Sequence, residues 1–157
     1  MKNNKHSQCM ICDRIDLIRA HKNSSFITEL KTCYVVFGDY QFYPGYTLAL
    51  SKDHETELYN LQKPRRKQFL WEMTVVAEAV ARVFHPVKMN YELLGNAEAH
   101  LHWHLYPRYN NDPDPARPIW AYPKEKRCNE GTRITEEFIY KYRRQMIVEI
   151  ESIIKFK

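Results

Sequence analysis

Ala99-His-Leu-His-Trp-His-Leu-Tyr-Pro-Arg108 alternates polar and apolar side chains. A strand sends successive side chains to opposite faces, so the pattern predicts a strand from Leu101 to Arg108. His100, His102 and His104 then share one face, and Leu101, Trp103 and Leu105 share the other. The apolar face belongs against a core, which makes Trp103 a core or dimer-interface residue. Successive histidines on a straight strand stand roughly 6.7 Å apart, too far for all three to grip one metal ion. They are expected to have separate roles; the plain alternative is a sheet face that happens to be histidine-rich.

Working outward, Gly95-Asn96 is a turn signal that joins this strand to another over Lys88 to Leu94. Phe26 to Leu30 and Cys33 to Phe37 are short, β-branched and aromatic, with Lys31-Thr32 between them, and read as a hairpin. Pro44-Gly45 precedes a third strand, Tyr46 to Ser51. After Asp53-His54 the period changes. Pro64 suits a first helical turn, and Leu70, Met73, Ala77, Val80 and Phe84 fall on one helical stripe that His85-Pro86 terminates. Thr135 followed by Glu136 and Glu137 predicts a capped helix start, with Phe138, Tyr142, Met146, Ile150 and Ile153 as its buried stripe. The Pro-rich stretch from Pro107 to Gly131 has no sustained period and is expected to be an ordered or partly ordered excursion. The order is β-β-β-α-β-β-α, an α+β fold on an antiparallel sheet.

The 157 residues suit one domain, with 44% hydrophobic and 13% aromatic residues. No apolar run is long enough to span a bilayer, and the start, Met1 to Gln8, is polar without a signal region, so a soluble cytoplasmic protein is expected. The net charge of +5 fits a nucleic-acid surface, an anionic small molecule or solubility alone. Lys63 to Lys67 and Lys141 to Arg144 fall on expected helices, where a solvated face is the simpler reading. No segment interleaves Arg with aromatics, which argues against a nucleic-acid partner. Of the four cysteines, Cys9 and Cys12 form a Cys-x-x-Cys pair, a metal half-site or redox pair in a cytoplasmic chain, while Cys33 and Cys128 read as ordinary thiols.

Together, Ala99 to Arg108, Phe37-Gly-Asp39, Pro44-Gly45-Tyr-Thr-Leu-Ala-Leu-Ser-Lys-Asp-His54 and the Cys pair resemble the histidine triad family, over about Cys9 to Arg108. The resemblance implies a single domain over 1–157, with five antiparallel strands, a long central helix and a C-terminal helix. The motif region 9–108 precedes the excursion and helix of 109–157. It implies His102 as the nucleophile that attacks a nucleotide α-phosphorus, a task suited to an imidazole with a pKa near 6.5. His104 would donate to phosphate oxygens, Gly95 and Asn96 would contact phosphate, and Asp39 would hold the ribose hydroxyls. In a zinc-containing subset, Cys9, Cys12, His54 and His100 would bind one structural zinc ion. The family usually forms a homodimer. Three departures stand out: Tyr46 for a histidine, Ser51 for a proline, and Ala97 for a Ser or Thr that would contact phosphate or leaving group. Trp120 invites a base-stacking role. The implied activity is hydrolysis of a dinucleoside polyphosphate or another adenylate. Phosphoramidase or nucleotidyl transferase activity, or nucleotide binding without turnover, are the alternatives. A nucleic-acid 5′-adenylate repair enzyme would use the charge but lacks an evident second DNA-binding element.

Overall fold

The structure, a computed structural model, describes residues 9–156; the polar start Met1 to Gln8 lies outside the described residues. Its elements are helix α1 (Met10–Arg19), strands β1 (Phe26–Glu29), β2 (Cys33–Phe37) and β3 (Thr47–Ser51), helix α2 (Lys63–Phe84), strands β4 (Lys88–Glu92) and β5 (His102–Arg108), the one-turn helix α3 (Lys124–Arg127) and helix α4 (Glu136–Lys155). The strands form one antiparallel sheet in the order β1-β2-β3-β5-β4.

Pairing of Ala49 with Trp103 and of Leu48 with His104 sets which residues share a face. Val35, Phe37, Ala49, Trp103 and Leu105 turn toward α2 and α4 and form the main core with Phe69, Val76, Val80, Met146 and Ile150. Trp103 is thus a core residue, its ring 6.3 Å from Phe69. Tyr34, Val36, Leu48 and Leu50 turn the other way, where Ile11, Ile15 and Ile18 of α1 cover them. With both faces covered, β2 and β3 are buried along their whole length.

Four expectations need correction. Helix α1 is absent from the expected order, although Ile11, Ile15 and Ile18 carry a helical spacing of four and three. The buried stripe of α2 is Phe69, Glu72, Val75, Val76, Ala77, Ala79 and Val80, so Leu70, Met73 and Phe84 are only partly buried. The helix lies between sheet and α4 and buries a wider arc than one stripe. On α4 the first buried residue is Ile139; Phe138 and Tyr142 pack beside Phe84 instead. Finally, β5 begins at His102, so His100 and Leu101 precede the strand.

The excursion is ordered and anchored by Arg108, which is 4% exposed. Its guanidinium donates to Asp112 at 2.6 Å, to Asn90 and the Arg117 carbonyl at 2.9 and 2.8 Å, and to the Asp114 carbonyl at 2.9 Å. Its far end returns to the loop after β2, where Ile134 N donates to the Asp39 carbonyl at 2.8 Å. Among the described residues no helix is long and apolar enough to cross a membrane.

Candidate functional site

The covered face of β5 opens beside α1 into a cavity of about 510 Å³. His102, His104, Gly95, Asn96 and Asp39 all line it, so residues separated by up to 65 positions meet at one place.

His102 is buried, and its Nδ1 lies 2.5 Å from the His100 carbonyl oxygen. A carbonyl only accepts, so Nδ1 carries the proton and Nε2 keeps the lone pair. The two strand histidines lean together, with ring centroids 4.7 Å apart, closer than straight-strand spacing.

His104 is held by Tyr46, whose hydroxyl lies 2.7 Å from His104 Nδ1. Burial raises the Tyr46 phenol, whose oxygen also accepts from Tyr106, so its proton points to His104. That leaves the second proton of the neutral imidazole on Nε2, a donor. Burial, and then the neighbouring His102, lower the His104 pKa to about 3. The Tyr46 ring lies flat on Tyr106 at 3.9 Å and stacks on His104 at 6.0 Å. Gly38 makes this possible, because a Cβ there would stand 2.1 Å from the Tyr46 ring. Tyr46, noted in the sequence only as a departure, is therefore part of the site.

Asp39 is ion-paired with Arg14 of α1, a partner that sequence reading missed because α1 was missed. Gly95 adopts φ 68°, a conformation that glycine takes at little cost. Trp120 also lines the cavity, edge-on to His104 at 5.9 Å and to Tyr106 at 6.1 Å, with Nε1 donating to Glu92 at 2.5 Å.

On the other side of His102, Cys9, Cys12, His54 and His100 bring one donor atom each within 4.8 Å of one another. Cys9 Sγ and Cys12 Sγ both lie 3.5 Å from His100 Nδ1, and Cys12 Sγ lies 3.1 Å from His54 Nδ1. Tetrahedral bonds of about 2.3 Å to sulfur and about 2.0 Å to nitrogen put neighbouring donors about 3.5 Å apart, so the four residues fit one zinc ion. His100 Nε2 donates to the Ser51 carbonyl at 2.9 Å, which directs Nδ1 to the cluster, the kind of outer contact that orients metal ligands. Burial pushes the Cys12 thiol up to about 12, so only a cation would draw out its thiolate. His100 can turn here because it precedes the strand. Cys33 is buried under Glu72, away from this cluster, and Cys128 lines the cavity.

Comparison with known proteins agrees with this geometry. The model of the HIT domain family matches residues 19–111, more than half of the chain. Protein hit of Bacillus subtilis (strain 168) is 30% identical over 70 residues, 41% of this chain and 48% of that protein, so the match spans about half of the relative. Among solved structures, a histidine triad protein from Sinorhizobium meliloti superposes with TM-score 0.70 at 20% identity, covering 86% of this chain and 93% of that one. A histidine triad nucleotide-binding protein from Sulfolobus tokodaii, described as hypothetical, gives 0.68 at 16% identity over 92% and 93%. A zinc-bound histidine triad family protein from Mycobacterium smegmatis gives 0.65 at 18% identity over 96% and 98%. With its two strand histidines on one cavity wall and the family signature matched through residue 111, the chain belongs to the histidine triad, or HIT domain, family.

Proposed function

We propose that the protein hydrolyses a dinucleoside polyphosphate or another adenylate at the α-phosphate through a covalent nucleotidyl-histidine. The observation that carries this reading is the 2.5 Å contact from His102 Nδ1 to the His100 carbonyl, which leaves an unprotonated nitrogen on a buried ring at the cavity wall.

In the first step His102 Nε2 bonds to the α-phosphorus and the bond from phosphorus to the bridging oxygen breaks. The Nε2–H of neutral His104 donates a hydrogen bond to the departing or a phosphate oxygen as charge builds there, and the leaving group departs as a phosphate anion. Asn96 donates from its amide, and Gly95 lets the backbone come close. Water then attacks phosphorus and the nitrogen–phosphorus bond breaks, releasing the nucleoside monophosphate, losing the water's proton to solvent and restoring neutral His102. Asp39 accepts from the ribose hydroxyls, with Arg14 fixing its carboxylate. Cys9, Cys12, His54 and His100 would hold zinc as a structural ion: it would bind α1 to the catalytic strand and supply no step. A homodimer is part of the same reading, supported by family membership, and sedimentation velocity checks it.

Ala97 supports a second reading. Lacking a hydroxyl at that position, the site has less to offer an oxygen leaving group, so a phosphoramidase or a transferase with another acceptor would use the same residues. Rapid quenching with labelled diadenosine polyphosphate, a nucleoside phosphoramidate and a nucleotide sugar tests both. A nucleotide on His102 that decays as product appears is expected. Tight binding with neither adduct nor product would sink the chemistry and leave a binding module.

A further inference from the structure

The excursion carries two cations to the cavity that the family signature does not reach, because the matched segment ends at residue 111. Arg127 is 7% exposed. Its Nε donates to the Tyr122 carbonyl at 3.0 Å, and its guanidinium lies 5.0 Å from the Trp120 ring. Among the described residues, Arg127 has no carboxylate at ion-pair distance and its two Nη groups make no hydrogen bond. A guanidinium with no ion-pair partner leaves a fork of unused donors at the cavity wall, the complement of a phosphate. The other charges of the wall differ in this respect. Arg14 is paired with Asp39, and Glu98 accepts from Met10 N at 3.1 Å. Glu92, which lies within the electrostatic reach of Arg127, accepts from Trp120 Nε1. Lys124, one turn before Arg127 in α3, is exposed and adds a second positive charge to the same wall.

Their position gives the pair a direction. From His100 at the Cys-His cluster just ahead of β5, the order along the strand is His102, then His104 and Tyr106 against Trp120, on which Arg127 lies. We propose that Arg127 and Lys124 form a subsite for the phosphates beyond the α-phosphate, held in place by Trp120, so that the substrate is a nucleoside polyphosphate whose leaving group is itself a phosphate. The proposal rests on the reading of this cavity as a nucleotide site. It also gives the leaving group a binding partner that the missing hydroxyl at Ala97 does not supply.

Calorimetric titration of the purified protein with AMP, α,β-methylene-ADP and α,β-methylene-ATP tests it without turnover. Affinity is expected to rise with phosphate number, by about tenfold to a hundredfold from AMP to the triphosphate, the range of one or two charge-assisted hydrogen bonds. In the Lys124→Gln/Arg127→Gln double variant the ratio of triphosphate to AMP affinity should collapse toward one. Because Arg127 also packs on Trp120, Lys124→Gln alone, at an exposed position, provides a variant that keeps the fold and should lower the ratio in part. Equal affinity for AMP and the triphosphate in the unaltered protein overturns the proposal, as does a ratio that survives both substitutions. Failure to bind any nucleotide overturns the subsite together with the nucleotide reading. A preference for polyphosphates without a His102 adduct in the quench experiment upholds the subsite and overturns only the covalent chemistry.

Discussion

Tyr46 and His104 show how one hydrogen bond decides what an imidazole can do. With the phenol on Nδ1, the ring is a neutral donor at Nε2; without it, either tautomer is open. Tyr46→Phe should lower kcat about tenfold with little change in KM, since the ring still stacks on Tyr106 and only the hydroxyl is lost. Steady-state kinetics on a diadenosine polyphosphate checks it. His102→Ala should abolish turnover while thermal unfolding and nucleotide affinity stay nearly unchanged. The low pKa of His104 also makes stability depend on pH. Its pKa is about 3 folded and about 6.5 unfolded, so the unfolded chain binds more protons between those values and stability falls as pH falls through that window. His104→Gln should therefore show a shallower loss of melting temperature from pH 7 to pH 4. All other groups are common to both proteins, so the difference between the two slopes is the readout, and equal slopes refute the assignment.

Among the elements, α1 depends on its surroundings more than any other long helix. It is ten residues long, buries three isoleucines, and is capped by Cys9, whose sulfur accepts from Cys12 N at 3.4 Å. So short a helix is marginal alone, and the Cys-His cluster brings its first turn against His54 and His100, the latter just ahead of β5. Treatment with a chelator, or Cys9→Ser, should expose α1 to proteolysis before the sheet is cut, which limited digestion followed by mass spectrometry would detect. Helix α2 is tied down differently. Glu72 is 1% exposed and accepts from Lys31 N and Thr32 N at 2.9 Å each, and from the Thr32 hydroxyl, holding the β1–β2 turn. Glu72→Gln would set an amide N–H against one of these donors, and should cost about 3 kcal/mol, or roughly 6–12 °C in melting temperature. A loss under 1 kcal/mol in urea unfolding would show that the turn is held by other contacts.

For the whole molecule, the sheet separates two tasks. One face packs α2 and α4 and supplies the main core; the other carries the histidines, with α1 on one flank and the excursion on the other. Each flank brings charge to an otherwise largely apolar cavity, Arg14 and Asp39 near α1 and Lys124 and Arg127 near the excursion. Anion binding in such a basic-walled cleft weakens as salt screens it. Triphosphate affinity should fall more steeply with ionic strength than AMP affinity, and parallel salt dependences would argue against a charged wall.

Periodicity made the sheet and both long helices readable, since alternation at His100 to Leu105 and the three-four spacing of 70–84 are properties of neighbouring residues. The family resemblance likewise named Cys9, Cys12, His54 and His100 before their meeting could be seen. What local pattern could not decide was any arrangement that depends on strand register or on packing between distant segments. The Tyr46 to His104 bond spans 58 residues and follows from pairing Leu48 with His104. The turn of His100 toward Cys9, 91 residues away, goes with a strand that begins only at His102, one residue later than the alternation implies. Arg127 reaches the cavity from a stretch with no period, through the buried hydrogen bonds of Arg108. Sequence by itself determined which side chains face which way along each element, because that is backbone geometry. The tertiary structure alone decided which of them touch, because contacts are selected by the burial and pairing of the whole chain.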